Sequence, residues 1–304
     1  MELRVLRYFL ATAREGSILG AARFLHVTQP TLSRQLQDLE EELGQKLLIR
    51  SNRNIVLTPE GKLLRRRAED IMEMVGKTEA EFGSMMENVS GDVYVGSGET
   101  EAMKLVARVI RELRDEYPKI RYHIFGGKSE DVEERVDKGI LDFGILIQPV
   151  DISKYDCLNL PFRDIWGVIM RKDNPLAVKK SLSMNDLLDL PLICSRQSPQ
   201  LSTGKSGYPE WFGKYFDKLN VVATYNLIYN AAQLVEAGIG CAIGLDGTIN
   251  TTAQSALCFR PLEPKVESEL TIIWKKYQVF SAAAEIFLER IQTKFPTDGA
   301  PDAE

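Results

Sequence analysis

Side chains suited to catalysis or to metal binding are few and scattered in this sequence. The two histidines, His26 and His123, have no second ligand at the spacing that a zinc site needs, and they offer little to a Ser-His-Asp triad. None of the four cysteines forms a C-x-x-C pair. They are Cys157, Cys194, Cys241 and Cys258. We therefore expect no metal site, no cofactor and no enzymatic activity.

Hydrogen-bonding side chains near the N-terminus are suited to contact with nucleic acid. Thr28 can cap a helix that has Pro30 in its first turn, where the missing N–H costs nothing. The apolar stripe of this helix should face inward, and it consists of Leu32, Leu36, Leu39 and Leu43. The opposite face carries groups that suit base edges and phosphate oxygens: Gln29, Thr31, Ser33, Arg34, Gln35, Gln37 and Asp38. The pattern indicates a helix that contacts DNA.

Two further helices and a pair of strands would hold this helix in place. Residues 3–15 have helical periodicity, and Ser17 can cap a second helix over residues 18–25. Residues 46–57 predict two short strands, with Arg50 and Arg53 near the tip of a wing that could grip phosphates. Residues 1–58 are thus a predicted winged helix-turn-helix domain. The alternatives are a three-helix core with a merely solvated polar face, and a block that contacts a protein partner rather than DNA.

A long helix is predicted directly after the wing. Thr58 can cap it, Pro59 suits its first position, and no other proline interrupts the residues up to Asn88. Apolar or small residues recur on one side at alternating spacings of four and three: Leu64, Ala68, Ile71, Val75, Thr78, Phe82 and Met85. Such a seam predicts that two chains pair through a linker over residues 59–90. The alternative is an amphipathic helix packed on its own domain.

The N-terminal motifs resemble those of the LysR-type transcriptional regulators. The similarity covers Gly16-Ser17, Ala21-Ala22, residues 25–36 and residues 57–61, whereas Leu48 replaces the usual phenylalanine of the family. The resemblance implies that the second helix of the motif enters the major groove. The implied DNA contacts are Gln29, Pro30, Thr31, Ser33 and Arg34 in the groove, Arg50 and Arg53 on the backbone, and Ser17 and Thr28 at the helix starts.

The resemblance also implies partners. Paired heads would bind double-stranded DNA as a homodimer or homotetramer and would favour an operator with an inverted repeat, because two linked heads fix the half-site spacing. A small-molecule effector would control this binding, and RNA polymerase is a further candidate partner. The predicted fold class is α+β and multidomain, with a winged helix-turn-helix, a long linker helix and a two-lobed effector domain.

From Gly91 onward, short apolar runs alternate with helical stretches, which is typical of an α/β unit with a mostly parallel sheet. This order is similar to the regulatory domain of the same family, in which two lobes like those of periplasmic binding proteins are joined by two crossovers. The crossovers are expected near Pro161-Phe162 and residues 261–264. The implied bounds are residues 91–304 for the effector-binding domain, with lobe I over residues 91–162 and 264–304 and lobe II over residues 163–263.

Candidate effector contacts lie where strands of these lobes should end. Gly96-Ser97-Gly98 follows a strand, but Glu101 holds the third glycine position of a dinucleotide motif and the next strand ends without an acid, so a nicotinamide site is rejected. The candidates are Gly98, Glu99, Thr100, Lys128, Ser129, Ser195, Arg196, Gln197 and Asn226. The family commonly contacts its effector at the position of Thr100. The alternative for each candidate is a solvated loop residue.

Two of the residues near this expected cleft suggest specific chemistry. Glu99 departs from the small neutral residues usual at its position, and a carboxylate beside a helix N-terminus offsets the preference of that terminus for anions. We therefore expect an effector that carries an amino group or another donor, or a dipolar one. Cys194 raises a thiol-redox sensor as a variant, against the simpler interpretation of a small buried apolar side chain.

Composition and charge limit the remaining classes. The 304 residues, 44% hydrophobic and 27% charged, are typical of a globular protein with two or more folded units. The net charge is −5, but residues 1–58 hold eight basic side chains against six acidic ones, of which three are clustered at Glu40, Glu41 and Glu42. No uncharged apolar run is long enough to cross a membrane, and the first residues lack the apolar segment of a leader. The cytoplasm is the expected compartment.

Overall fold

The computed structural model describes residues 1–50, 55–83, 90–148, 150–195, 209–212, 215 and 218–296. The chain folds as two compact units, Met1–Gly83 and Ser84–Glu304. The helix that we expected as a separate linker therefore belongs to the first unit, which we call the head. The second unit contains the residues that we expected to form the effector domain, and we keep that name for it.

In its described residues, 1–50 and 55–83, the head contains four helices and a two-stranded sheet. The helices are α1 (Leu3–Glu15), α2 (Ile18–Phe24), α3 (Gln29–Leu43) and α4 (Pro59–Gly83), and the strands are β1 (Leu48–Arg50) and β2 (Ile55–Leu57). The two strands pair antiparallel, which confirms the predicted wing. Helix α4 is described to Gly83, and the last residues of the predicted helix, 84–89, lie outside the described part of the chain.

Helices α1 to α3 pack around one apolar core. Phe9, Ala21, Ala22, Leu32 and Leu36 are almost fully buried there, and the small Ala21-Ala22 pair lets α1 and α3 approach α2 closely. The prediction that Leu43 completes the inward stripe is wrong, because 40% of this side chain is exposed. It lies in the last turn of α3, directly before Gly44 ends the helix with a left-handed backbone, φ 64°.

The effector domain alternates strands and helices. Its first elements are β3 (Gly91–Ser97), α5 (Met103–Glu116), β4 (Ile120–Gly126), α6 (Ser129–Asp137), β5 (Phe143–Ile147) and β6 (Tyr155–Arg171). The next are β7 (Leu182–Ser183), α7 (Met184–Leu188), β8 (Pro191–Ser195), α8 (Pro209–Phe212) and β9 (Asn220–Tyr225). The last are α9 (Ile228–Glu236), β10 (Cys241–Leu245), β11 (Leu257–Glu263), β12 (Glu267–Lys275) and α10 (Ala282–Lys294).

One mixed sheet runs through the whole effector domain in the order β4-β3-β5-β12-β6-β10-β8-β9. Strands β3, β4 and β5 are parallel on one side, and β8, β9 and β10 are parallel on the other, with the antiparallel strands β6 and β12 between them. The antiparallel centre makes the sheet less parallel than expected. We call the β3, β4, β5 and β12 side lobe I, and the β7 to β11 side lobe II.

Strand β6 belongs to both lobes. It pairs with β12 up to Ile165 and with β10 from Trp166 onward. The ladder with β12 is interrupted by a bulge that leaves Pro161 and Phe162 unpaired. The partner change therefore comes a few residues after the predicted crossover, because the proline marks this bulge within a continuous strand and not the lobe boundary.

Each lobe has its own apolar core. In lobe I, α5 and α10 cover the sheet with side chains such as Val109, Leu113 and Phe287. In lobe II, α9 covers Ile169, Ile193 and Ala242 of the sheet. No helix in the described part of the chain is long and apolar enough to cross a membrane.

Candidate DNA-reading face and ligand cleft

Helix α3 presents one buried face and one exposed polar face. Leu32, Leu36 and Leu39 anchor it in the core of the head. Gln29, Pro30, Thr31 and Arg34 are exposed, and Ser33 is half-buried. The predicted groove-contacting residues therefore lie together on the solvent side of a helix whose rotation is fixed by its leucines. Amide, hydroxyl and guanidinium groups in this arrangement can donate and accept hydrogen bonds at base edges and phosphates.

The starts of α2 and α3 are built differently. The Ser17 hydroxyl accepts a hydrogen bond from the Gly20 backbone N–H at 2.8 Å and caps α2 as predicted. Thr28 occupies the position before α3 but does not cap its backbone. Its hydroxyl lies 2.8 Å from the Thr31 hydroxyl instead, so the prediction of a Thr28 cap is wrong. The two hydroxyls form one exposed pair at the N-terminal end of the polar face.

Glu40 joins α3 to the wing. Its side chain is only 3% exposed, and its Oε1 accepts from the backbone N–H groups of Leu47 at 2.8 Å and Leu48 at 3.0 Å. Its Oε2 accepts from Lys46 Nζ at 3.0 Å. Burial raises the pKa of Glu40, but these donors together hold it below the ordinary range of a glutamate. From the sequence, Glu40 was counted only as one of three clustered acids, and the overlooked signal for its burial is its place directly after Leu39 in the buried stripe.

A second connection ties the wing to α4. The Thr58 hydroxyl donates to the Lys46 carbonyl at 2.7 Å and accepts from the Gly61 N–H at 2.9 Å, so it caps α4 as predicted. A Cβ on Gly61 would lie 2.2 Å from the Leu47 carbonyl oxygen. Only glycine therefore allows α4 to pass so close to the wing. The Arg50 backbone lies in β1 but its side chain is not described, and Arg53 lies outside the described residues.

The predicted seam of α4 divides into parts with different surroundings. Leu64 packs against the core of the head, and Ala68 is fully buried. These two residues therefore support the alternative, a helix packed on its own domain. The prediction that they belong to a seam between two chains is corrected, because they pack within the head. Ile71 and Val75 are half-buried, and the exposed Thr78 donates its hydroxyl to the Met74 carbonyl. The Phe82 side chain and Met85 lie outside the described part of the chain.

A cleft of about 700 Å³, open to solvent, lies in the effector domain where the strands of both lobes end. Six of the nine predicted contacts line it: Gly98, Glu99, Lys128, Ser129, Ser195 and Asn226. Arg196 and Gln197 lie outside the described residues. Apolar wall residues that the sequence analysis did not propose include Ile145, Ile147, Leu227 and Leu245. Trp166 forms part of the wall, and its indole N–H donates to the Ser268 hydroxyl at 2.9 Å.

The polar groups of the cleft carry both signs of charge. Lys128 contributes a cation at the start of α6, where Glu130 lies 3.5 Å away. Glu99 contributes an anion, and its Oε2 accepts from the Ile228 backbone N–H at 2.6 Å. We expected this carboxylate beside the helix that follows β3, but that helix, α5, begins only at Met103. The helix terminus that Glu99 contacts is that of α9 in the other lobe.

Thr100 does not line the described cleft, which corrects the expectation that it touches the effector. It is buried, and its hydroxyl accepts from the Ala102 N–H at 3.0 Å. The short turn between β3 and α5 directs this hydroxyl into the protein, near Asp164 of β6. Asp164 is buried, and neither of its carboxylate oxygens has a well-formed hydrogen bond. Burial raises its pKa to about 6, the nearby Thr100 hydroxyl opposes this rise, and the charge of Glu101 adds to it.

The structure gives no support to a redox role for Cys194. The thiol is buried, and burial raises its pKa to about 11, so it stays protonated and weakly nucleophilic at neutral pH. Cys194 packs in the core of lobe II with Leu192 and Phe212. Within the described ranges, no group of three or more potential His, Cys, Asp or Glu ligands is placed to hold a metal ion.

Two family models match the two units. Residues 3–62 match the bacterial regulatory helix-turn-helix protein, lysR family, and residues 87–296 match the LysR substrate binding domain. Among curated relatives, the Hca operon transcriptional activator HcaR of Escherichia coli (strain K12) is 28% identical over 97% of this chain and 98% of its own length. AlsR of Bacillus subtilis (strain 168), an HTH-type transcriptional regulator, is also 28% identical over 79% of each protein.

Solved structures agree with this match. CbnR, described as a LysR family transcriptional regulator, has a TM-score of 0.76 at 20% identity over 97% of this chain and 99% of its own. CbnR in complex with its target DNA has a TM-score of 0.74 at 20% identity, over 96% of this chain and 99% of that chain. Full-length BenM has a TM-score of 0.52 at 26% identity over 97% of each chain. The fold resemblance thus extends over both units of the chain.

Proposed function

The chain belongs to the LysR family of DNA-binding transcriptional regulators, and we propose that a small-molecule effector in the cleft between lobes I and II controls its binding to DNA. The observation that supports this proposal is the cleft, because residues at the strand ends of both lobes contribute polar side chains to it. A ligand that contacts both lobes favours one arrangement of them over others, and such a preference is what a regulator needs.

The effector that fits this cleft carries a donor group for Glu99. Among the described residues that line the cleft, Glu99 carries a carboxylate and Lys128 an ammonium group, between apolar walls. An amine-bearing or dipolar molecule of small size would match this pattern of charge. Tighter binding of simple dicarboxylates than of amine-bearing molecules to the intact protein would contradict this part of the proposal.

For the head, we propose that α3 enters the major groove and that the wing lies on the flanking backbone. The polar face of α3 supports this, because its exposed side chains are of the types that contact bases and phosphates. We further propose that exposed parts of α4 pair two chains as a homodimer or homotetramer on an inverted-repeat operator. RNA polymerase as a partner, the absence of catalysis and a cytoplasmic location complete the proposal.

The first experiment measures binding of the purified protein to DNA upstream of its own gene, against a scrambled duplex of equal length, at several salt concentrations. Sequence-dependent binding that weakens steeply with salt is expected, because phosphate contacts release counterions. Indifference to sequence at every salt concentration would contradict the proposed operator. Addition of amine-bearing and acidic small molecules, followed by thermal unfolding, then identifies the effector class through stabilisation of the folded state.

Removal of one groove-facing side chain tests the assignment of α3. Arg34→Ala is expected to weaken operator binding about tenfold or more, since a base or phosphate contact of arginine contributes about 1 to 3 kcal/mol. The control is Arg4→Ala, which removes the same charge from α1, where Arg4 pairs with Glu2 at 3.2 Å. Equal losses in the two variants would show only a general effect of charge and would contradict a specific role of α3.

A further inference from the structure

Glu99 makes a hydrogen bond across the cleft. The residue lies in the turn that follows β3 of lobe I, and its Oε2 accepts from the backbone N–H of Ile228 at 2.6 Å. Ile228 is the first residue of α9 in lobe II and lies 129 positions further along the chain. Both residues line the cleft. A carboxylate of one lobe is therefore bound to a helix N-terminus of the other, within the space that an effector would enter.

Helix α9 has no cap within its own segment. Leu227 stands at the N-cap position and makes no side-chain hydrogen bond, and the first turn contains no acidic residue. The first N–H groups of a helix have no partner within the helix, and together with the helix dipole they attract an anion. Glu99 thus supplies from the opposite lobe the acceptor that the α9 sequence lacks. The N-terminus of α9 is observed in use as a carboxylate site.

We propose that Glu99 determines the ligand specificity of the cleft by occupying this carboxylate site itself. Its side chain keeps an acidic ligand away from α9 and holds the two lobes together while the cleft has no effector. A ligand of the intact protein must then meet Glu99 with a donor, or displace it. The inference rests on the proposed function, because it concerns the same cleft, and it predicts that removal of the carboxylate exposes a site for carboxylate ligands.

The test uses the full chain with Glu99→Ala and acetate as the probe, because acetate resembles the group that the substitution removes. Hydrogen exchange of the Ile228 amide is followed by NMR after isoleucine-selective ¹⁵N labelling. In the original protein we expect a protected amide that does not respond to acetate. In Glu99→Ala we expect exchange at least tenfold faster, and restored protection as acetate is added. Methylammonium chloride at the same ionic strength should have no such effect.

Two matched variants sharpen the test. Glu101→Ala removes the same charge from the same turn, but Glu101 pairs with Lys104 and not with Ile228, so exchange of the Ile228 amide should not change. Glu99→Gln keeps an acceptor of the same shape and should retain most of the protection, which guards against a general loss of structure in Glu99→Ala. The proposal would be overturned if the Ile228 amide exchanged at the same rate in Glu99→Ala as in the original protein. It would also be overturned if acetate slowed this exchange in the original protein as much as in Glu99→Ala.

This readout requires neither DNA nor an effector. Rescue by acetate would therefore support the role of Glu99 even if operator binding proved insensitive to every small molecule tested. Conversely, an effector could be found and the proposed function upheld while the Ile228 amide proved independent of Glu99. The two proposals can thus fail separately.

Discussion

Glu40 in the head and Asp164 in the effector domain are both buried carboxylates, but their surroundings differ. Glu40 accepts from two backbone N–H groups and from Lys46, and these donors lower its pKa. Asp164 has no well-formed hydrogen bond, and burial raises its pKa to about 6. Glu40 therefore stabilises a fixed joint between α3 and the wing. Asp164 lies in β6 directly before Ile165, the last residue of this strand that pairs with β12. The ionised form of Asp164 lowers the stability of the folded state there.

The difference fits the tasks of the two regions. The head must present α3 and the wing in one fixed geometry, because the spacing of contacts on DNA allows little variation. Its joint is fully hydrogen-bonded for this reason, with Thr58 and Gly61 adding a second connection to α4. A sensor domain instead needs two lobe arrangements of similar free energy. A buried carboxylate without a well-formed hydrogen bond lies beside the boundary between the two lobes, and its ionisation lowers the stability of the folded effector domain.

The largest change in stability is expected when a substitution removes the Glu40 carboxylate, which is a hydrogen-bond acceptor. Glu40→Ala leaves the N–H groups of Leu47 and Leu48 buried without partners, which should lower the free energy of unfolding of the head by about 3 kcal/mol. Operator binding should weaken as well, because the wing loses its position relative to α3. Chemical denaturation monitored by circular dichroism measures the first effect. The control Glu41→Ala concerns an exposed neighbour and should change stability by less than about 0.5 kcal/mol.

The pH dependence of this joint has a definite sign. Because the pKa of Glu40 is lower in the folded state than in the unfolded chain, its contribution is present at neutral pH and is lost as pH falls through the folded value. The stability difference between the original protein and Glu40→Gln should therefore shrink in acid. A difference that stayed constant down to the pH of acid unfolding would contradict the assigned role of the ionised carboxylate.

A pair of glycines in α4 tests how tight the joint is. Gly61→Ala places a Cβ against the Leu47 carbonyl oxygen, with only 2.2 Å between the two atoms, and should cost about 2 to 3 kcal/mol. Gly76→Ala, in the same helix, meets no atom within 4 Å and should raise stability by up to about 1 kcal/mol, since alanine favours helix. Thermal unfolding of the two variants measures both. Equal effects of the two substitutions would mean that the wing shifts freely and that the joint is not tight.

The head was more predictable from sequence than the cleft, and the reason is physical. The period of Leu32, Leu36 and Leu39 fixes which side of α3 is exposed, and this information is local. The cleft is assembled from strand ends that lie far apart in the chain. The sequence therefore predicted single residues such as Ser129 and Asn226, but it did not predict which cleft residues contact one another. Glu99, which the sequence offered as an effector contact, lines the cleft, yet its partner in the opposite lobe carries no local signal.

The missed residues follow the same rule. Glu40 was grouped with Glu41 and Glu42 as one cluster of acids, whereas its place directly after Leu39 and the wing that packs against it account for its burial. Thr100 was assigned to the cleft because the family commonly contacts its effector at this position and because a helix N-terminus was expected beside it. A non-helical turn precedes Met103 instead and directs the hydroxyl inward. In both cases the exposure of a side chain depends on an element that comes later in the chain.

A gain in stability, smaller than the losses expected from Glu40→Ala and Gly61→Ala, is expected from Asp164→Asn. A pKa raised from 3.8 to about 6 means that the native state binds the proton more tightly than the unfolded chain, so stability falls as pH rises through this range. Above pH 6 the cost corresponds to about 3 kcal/mol at most. We expect Asp164→Asn to recover about 1 to 2 kcal/mol of it, because the new amide must itself find partners. The gain should disappear near pH 4, where Asp164 is protonated.

Unfolding of the effector domain at pH 8 and at pH 4, with Asp142→Asn as the control, measures this effect. Asp142 is also buried, but its Oδ2 accepts from the Tyr94 N–H at 2.8 Å, so the control should lose stability at pH 8 and not gain it. A gain in both variants would mean that any buried negative charge in this domain is costly. The contrast between a hydrogen-bonded carboxylate and one without a well-formed hydrogen bond would then fail, and with it the specific cost assigned to the ionised Asp164.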